Sequence, residues 1–506
     1  MNFIGQFTME GVQFLSTLFV FAVGLFVLFV IILFIADVAQ TKNAIRRNYP
    51  VVGHFREIFS QLGEFFRQYF FALDREELPF NRAEREWVYR SSSGADNTVA
   101  FGSTRNLSDV GTVIFVNCPF PTLDEHGVPP PAVTVGPYAR HPYVFTSLIN
   151  ISGMSYGAIS KPAVQALSKG AAMAGCWLNT GEGGLSPFHL QGGADIVFQI
   201  GTAKYGVRGA DGLLDESRLR EIAAHEQVRM IELKLSQGAK PGKGGILPAA
   251  KVTPEIAAIR GIPSYIDSIS PNRHLEIDSV PDLLDAIERI RLIAGKPVGF
   301  KCVIGAYGWL ERMCEEVQRR GIESAPDFIA VDSGDGGTGA APLALMDNVG
   351  LTIREALPMV VDILHKYGLR DRIKIFASGK LITPAEVAWA YCAGADAVVS
   401  ARGFMFALGC IQSLKCNKNT CPTGITTHNP RLQRGLDPAD KAVRVATFVH
   451  KMRNDVGVIA HSCGVPHPRA LKRYHCRVVQ ANGRSVPLNE LYPPATPAPA
   501  PLSSVA

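Results

Sequence analysis

"FIAVDSGDGGTGAAP", residues 328–342, begins as an unbroken apolar run and passes at Asp332 into a polar, glycine-rich turn. A short apolar run without alternation is the signature of a strand covered on both faces, as in a parallel sheet. A polar, glycine-rich exit is what a barrel strand carries where it reaches the functional rim. The same form recurs in "LINISGMS" (148–155), "WLNTGEG" (177–183), "IVFQIGT" (196–202), "MIELKLS" (230–236), "VGFKCVI" (298–304), "IKIFASG" (373–379) and "AVVSARG" (397–403). Between them lie helix-length amphipathic runs, among them 161–174, 280–294, 309–320 and 384–393. Eight such units within about 250 residues predict an α/β fold, a (β/α)8 TIM barrel.

Outside the barrel the chain changes character. Phe14 to Ala36 holds 23 residues without a charge. As a helix this is roughly 35 Å long, enough for a bilayer core of about 30 Å. A signal peptide is the rival reading, but only Glu10 is charged before the run, and no small-residue cleavage site follows it. Lys42, Arg46 and Arg47 come after the run, which places the C-terminal part in the cytoplasm and makes the segment a single-pass anchor. The Phe-, Arg- and Glu-rich stretch 57–86 reads as helical, lying against the membrane surface or packed on the barrel. The expected division is an anchor over 1–40, a helical and irregular linker over 41–100, the barrel over 101–480 and a disordered Pro/Ala-rich tail over 481–506.

Bulk composition narrows the function. The formal charge of +6 is spread along the chain with no basic, aromatic-lined surface, so nucleic acid is not an expected partner. Ten cysteines, five of them in apolar surroundings, suit a reducing compartment better than a disulfide framework.

The strand ends carry the chemistry. Gly334, Gly336, Gly337 and Gly339, interleaved with Asp332, Ser333, Asp335 and Thr338, are expected to adopt φ > 0 and to let the backbone approach a ligand closely. Gly379 with Lys380, and Arg402 with Gly403, follow the seventh and eighth strands, where barrels commonly hold a phosphate. Lys234, Lys240 and Lys243 surround the fourth strand end and suit a carboxylate-bearing substrate, with Arg260 further on as a bidentate grip. Asn179 and Glu182 stand at the second strand end. In "CIQSLKCNKNTCPTG" (410–424), Cys410, Cys416 and Cys421 are separated by five and four residues within a polar loop. Three thiolates suit an iron–sulfur cluster. A tetrahedral zinc needs a fourth ligand, for which His428 is the candidate.

Taken together, "SGMSYGAIS" (152–160), "LNTGEGG", "QIGTAKYGV" (199–207), "ELKLSQGAKPGKGG", "DSGDGGTGAAP" and "CIQSLKCNKNTCPTG" resemble, in the same order, the synthase domain of glutamate synthases. The resemblance covers roughly residues 100–465 and is closest to the stand-alone FMN-binding form, with an added membrane anchor. It implies FMN at the C-terminal rim and a [3Fe–4S] cluster on Cys410, Cys416 and Cys421. The implied reaction adds ammonia to 2-oxoglutarate and reduces the resulting 2-iminoglutarate to L-glutamate with hydride from flavin N5. Carried over residue by residue, Lys240 and Glu182 are implied as catalytic and Gln237, Arg260 and Lys234 as substrate-binding. Ser152, Gly153, Met154, Asn179, Gln199, Lys301, Asp332, Ser333, Gly336, Gly337, Thr338, Gly379, Lys380, Arg402 and Gly403 are implied to hold the cofactor.

The chain departs from the family pattern at Lys243, where a glutamate is usual, and at "SPNRHLE" (270–276), which keeps one histidine, His274. It begins Met-Asn-Phe rather than with the cysteine of a glutaminase domain, and it carries no Rossmann fingerprint. The expectation is therefore ammonia from a separate glutaminase or free ammonium, and electrons from a ferredoxin or a separate flavoprotein. Two alternatives stay open. One is an FMN-dependent oxidoreductase acting on another 2-oxo, amino or hydroxy acid with electron exchange to a membrane quinone. The other is a barrel subunit without turnover.

Overall fold

The computed structural model of the chain describes residues 2–494. They divide into two compact units, one ending at Ala83 and one beginning at Glu84. In the first, a helix runs over Asn2–Ala39, and its stretch Met9–Ala39 is long and apolar enough to cross a membrane. A short helix, Ala44–Asn48, is capped by Asn43, whose side chain accepts from the amides of Ile45 and Arg46. Helix Gly53–Phe66 follows and continues into a π-turn, Arg67–Phe71. The helical expectation for 57–86 is thus interrupted, since 72–81 is irregular before helix Arg82–Ser92.

The second unit is built on a closed barrel of eight parallel strands in sequential order. The strands are β1 Ile149–Ile151, β2 Leu178–Asn179, β3 Ile196–Ile200, β4 Val228–Lys234, β5 Val298–Val303, β6 Phe328–Asp332, β7 Lys374–Ser378 and β8 Ala397–Ser400. Seven fall within the stretches read as strands, and β4 begins two residues earlier than its stretch, at Val228. β3 and β6 are buried along their whole length, which explains their unbroken apolar sequence. The helices between them are bounded by residues that supply the missing backbone partners. Ser160 caps Lys161–Ala174 and Ser279 caps Val280–Ala294, and each of these helices ends on a left-handed glycine, Gly175 and Gly295. Thr383 and Glu386 form a reciprocal capping box on Pro384–Ala393.

One end of the barrel is plugged. The hairpin Val133–Val135/Tyr143–Phe145 precedes β1 and packs Phe145 on Trp177, with Phe376 and Phe328 stacked behind. These aromatics seal the N-terminal end, so the C-terminal end is left for the site.

Two expected boundaries are corrected. Residues 84–100 belong to the barrel unit rather than to a linker, because Trp87 packs edge-on to Phe448 and Tyr89 donates its hydroxyl hydrogen to the Cys410 carbonyl at 2.6 Å. The disordered tail does not begin at 481. Strand Ser485–Pro487 pairs antiparallel with Cys476–Val479, and helix Leu488–Leu491 follows. These segments alternate ordinary apolar residues and do not share the Pro/Ala composition that follows. Most of that composition, 495–506, lies outside the described residues.

Candidate active site

The C-terminal mouth opens into a cavity of about 1250 Å³, counted out to solvent. Its floor is a set of charged and polar side chains that strand register brings side by side. Lys234 on β4 and Lys301 on β5 are directly paired across the sheet, as are Gln199 on β3 and Glu232 on β4. Lys234 Nζ lies 3.0 Å from Glu182 at the end of β2, and Lys301 Nζ lies 3.0 Å from Asp332 at the end of β6. Asp332 also accepts from the Gly238 amide at 3.0 Å and from Ser378 Oγ at 2.9 Å. Burial, which alone would raise the Asp332 carboxyl, is overcome by Lys301 and the Gly238 amide, so its pKa stands below the usual range.

Glu232 was not foreseen as a site residue. It is buried and accepts from Gln199 Nε2 at 2.6 Å and from Asn179 Nδ2 at 2.9 Å. Burial raises its pKa against the pull of Lys301. Period-two alternation in "MIELKLS" already puts Glu232 and Lys234 on one face.

The substrate side is cationic. Arg260 is 4% exposed and lines the cavity, and no carboxylate among the described residues pairs with it. Its Nη atoms make long contacts of 3.2–3.5 Å to Ser268 Oγ, Tyr156 O and Ser155 Oγ, and its Nε has no partner. The guanidinium lies 4.9 Å from the Tyr205 ring centre. Lys240 is 3% exposed, and burial together with the Lys234 charge pushes its pKa down to about 8. Burial works to raise the Glu182 carboxyl, but Lys234, Lys240 and Arg260 outweigh it and hold it ionised. Three cations thus face one carboxylate, and the excess is two positive charges. Gln237 lines the same wall and donates to Thr338 Oγ1 at 2.8 Å. Lys243 is exposed and lies outside the lining, so the departure at this position leaves the cavity charge unaltered.

On the opposite side, Ser152, Gly153, Met154, Gly337, Thr338, Gly379, Lys380 and Arg402 line the cavity. Arg402 Nη2 donates to the Thr338 carbonyl at 3.0 Å, and Lys380 pairs with Asp335 at 3.0 Å. Asn179, Ser333, Gly336 and Gly403 do not reach the lining and act behind it. Ser333 Oγ, for example, accepts from the Ile353 amide at 2.9 Å. The glycines of 334–339 do not take the expected positive φ. Their role is close approach: a Cβ on Gly337 would fall 2.6 Å from Arg402 Nε. The left-handed turn lies one strand later, at Gly379 with φ of 124°, where a Cβ would also collide with Ser333. A glycine-walled slot with Lys380 and Arg402 at one end fits a flavin phosphate.

Of the three loop cysteines, Cys416 lines the cavity while Cys410 and Cys421 are buried behind it. No three His, Cys, Asp or Glu side chains among the described residues converge on one metal ion. His428 donates from Nε2 to the Gly157 carbonyl at 2.8 Å, and no metal-binding group among the described residues brings it together with the cysteines. Burial raises the Cys421 thiol, but hydrogen bonds, first that of Thr423 Oγ1 at 3.3 Å, bring it below the ordinary value. Lys251, missed in the sequence, is 2% exposed and donates from Nζ to Cys416 O at 3.2 Å and Ala158 O at 2.8 Å.

Eight βα units, a sealed N-terminal end and a cationic, glycine-walled mouth place the chain among the (β/α)8 barrels with a charged cavity at the C-terminal end. The conserved region of glutamate synthases matches residues 134–466. The "Glutamate synthase large subunit-like protein YerD" of Bacillus subtilis is 38% identical over 498 residues, covering 91% of this chain and 94% of that one. The "Archaeal glutamate synthase [NADPH]" of Methanocaldococcus jannaschii is 36% identical over 345 residues, 68% of this chain and 63% of its own length. That of Archaeoglobus fulgidus is 34% identical over 319 residues, 63% of this chain and 59% of its own. The chain therefore spans about three-fifths of these archaeal relatives. It belongs to the glutamate synthase family, a family of oxidoreductases.

Proposed function

We propose that the chain reductively aminates 2-oxoglutarate to L-glutamate, using FMN and a [3Fe–4S] cluster, as a single-pass membrane protein with its barrel in the cytoplasm. The carrying observation is the excess of two positive charges where Lys234, Lys240 and Arg260 face Glu182. A dicarboxylate neutralises that excess. Arg260 and Gln237 bind its carboxylates, and Lys234, held by Glu182, orients it. Lys240 hydrogen-bonds the imine nitrogen of 2-iminoglutarate and, as an ammonium, delivers the proton that balances reduction at carbon. FMN, when bound, supplies the hydride. Ser152, Gly153, Met154, Gln199, Lys301, Thr338, Gly379, Lys380 and Arg402 hold it, with Asn179, Asp332, Ser333, Gly336, Gly337 and Gly403 shaping the slot.

Cys410, Cys416 and Cys421 hold the cluster. Cysteines of a cluster bind different irons, so they need not converge on a point. The buried Lys251 ammonium, which no carboxylate among the described residues neutralises, supports an anionic group at this loop. Ammonia arrives from a separate glutaminase or as free ammonium, and electrons from a ferredoxin or a separate flavoprotein.

The test is anaerobic. The full chain, purified in detergent, is assayed for flavin and iron, reduced with dithionite and mixed with 2-oxoglutarate and ammonium. Reoxidation of the flavin band with glutamate formed is the expected result. A flavin that stays reduced here but is reoxidised by another 2-oxo acid overturns the substrate, and protein without flavin or iron overturns the cofactors.

The buried Lys240 ammonium sets a pH dependence. With its pKa near 8, the proton-donating form is lost as pH rises through that value. The kcat/KM profile is expected to fall on the alkaline side with an apparent pKa near 8. In K240R the charge persists and that limb moves out of range. A limb unchanged by K240R assigns it to another group.

A further inference from the structure

We propose that the segment from Gly53 to Phe71 lies in the membrane interface, its aromatic face sunk between lipid headgroups and its arginines on anionic lipid phosphates. The proposal rests on the reading of Asn2–Ala39 as a membrane span.

The pattern is the first ground. Phe55, Ile58, Phe59, Leu62, Phe65 and Phe66 recur at helical spacing, and at ~100° per residue they fill roughly 120° of the circumference. The π-turn prolongs this face, since Tyr69 packs on Phe65 and Phe70 on Phe66. Yet the described residues leave the face uncovered: Phe59, Phe70 and Phe71 are 66%, 67% and 73% exposed. A contiguous aromatic face of this kind on a protein surface marks an interaction site.

Geometry within the first unit points to the occupant. The Asp37 carboxylate, in the last turn of the apolar helix, accepts from the Val51 amide at 2.8 Å and from His54 Nε2 at 2.9 Å. Arg46, on the short helix Ala44–Asn48, pairs with Glu57 on Gly53–Phe66. The amphipathic helix is thereby fixed to the end of the candidate span, at the depth where a span leaves the hydrocarbon. Charge agrees. Residues 40–71 hold Lys42, Arg46, Arg47, Arg56 and Arg67 against Glu57 and Glu64. Arg56 and Arg67 stand three turns apart on one border of the aromatic arc, where long cationic side chains reach up to phosphates while their stems stay on apolar surface.

The full chain is reconstituted in vesicles of mixed phosphatidylcholine and phosphatidylglycerol. F59W and F70W are compared with S60W, on the polar side of the helix, after subtraction of the emission of the native tryptophans. Lipids brominated near the headgroup are expected to quench F59W and F70W at least about twofold more than S60W. Equal quenching, in a chain that alkaline carbonate does not strip from the vesicles, overturns the proposal alone and assigns the aromatic face to protein packing. Release of the chain by carbonate overturns the span, and the proposal with it.

Discussion

R260M weakens 2-oxoglutarate binding by about two orders of magnitude and leaves the melting temperature unchanged or raised. The two halves of this result have one cause. In the free protein Arg260 is buried without a carboxylate partner, and its Nε makes no hydrogen bond. Burial pushes its pKa below the ordinary arginine value, a sign that the fold gains nothing from the charge. Removing it relieves desolvation while the Tyr205 ring still offers an apolar neighbour. Binding reverses the balance, because a substrate carboxylate supplies the missing acceptor and the missing charge together. Losing such a buried charge-assisted pair costs about 2–5 kcal/mol, hence the hundredfold scale. R260K keeps the charge without the fork and falls between. Ligand titration followed in the flavin band, beside thermal melts of the same proteins, provides the check. A large drop in melting temperature with unchanged affinity would make Arg260 a structural residue.

How much of this was legible in the sequence differs by region. The barrel was readable because each strand is both an apolar run and a run that ends in polar residues, so two independent signals mark each boundary. The N-terminal border of the barrel unit was not, because Arg82–Ser92 carries eight charged or hydroxyl residues on a helix whose buried face includes Arg85, Ser91 and Ser92. Composition reads such a helix as solvated, and only its packing on Phe448 and its bond to Cys410 place it. In the site, lysines and glycines at strand ends were found by position. Glu232 and Lys251 were missed because each sits inside an otherwise ordinary segment, one in an apolar strand and one in a single 3-10 turn. What makes them site residues is long-range pairing, with Gln199 and Asn179 in one case and with the Cys416 carbonyl in the other. The positive-φ glycine was assigned one strand too early for a related reason: Gly337 and Gly379 are both required to be small, and sequence cannot tell close approach from backbone conformation.

The second large effect is expected at the floor of the site. K301M is destabilised by about 3–5 kcal/mol, a loss on the order of 10 °C in Tm, and purifies with little flavin. Lys301 is 7% exposed, pairs with Asp332 and stands in the field of Glu232. Burial alone would lower its pKa, but Asp332 and Glu232 raise it above the ordinary value. A lysine raised in this way contributes stability that is complete below its unfolded pKa of about 10.4 and lost as pH rises through the folded value. Asp332, held low, contributes stability present above about pH 4 and lost as pH falls through its folded value. The pair is therefore intact between these limits. Without the ammonium, burial raises both carboxyls, the folded state binds more protons than the unfolded chain, and stability declines as pH rises from about 4. The gap in Tm between parent and K301M is accordingly wider at pH 8 than at pH 5. Adding D332N to K301M removes one of the two uncompensated charges, and the double variant recovers part of the loss. Thermal melts of the three proteins at the two pH values decide the matter. A gap that does not narrow in acid, or a double variant no more stable than K301M, would mean that the loss does not arise from the Lys301 charge facing Asp332 and Glu232.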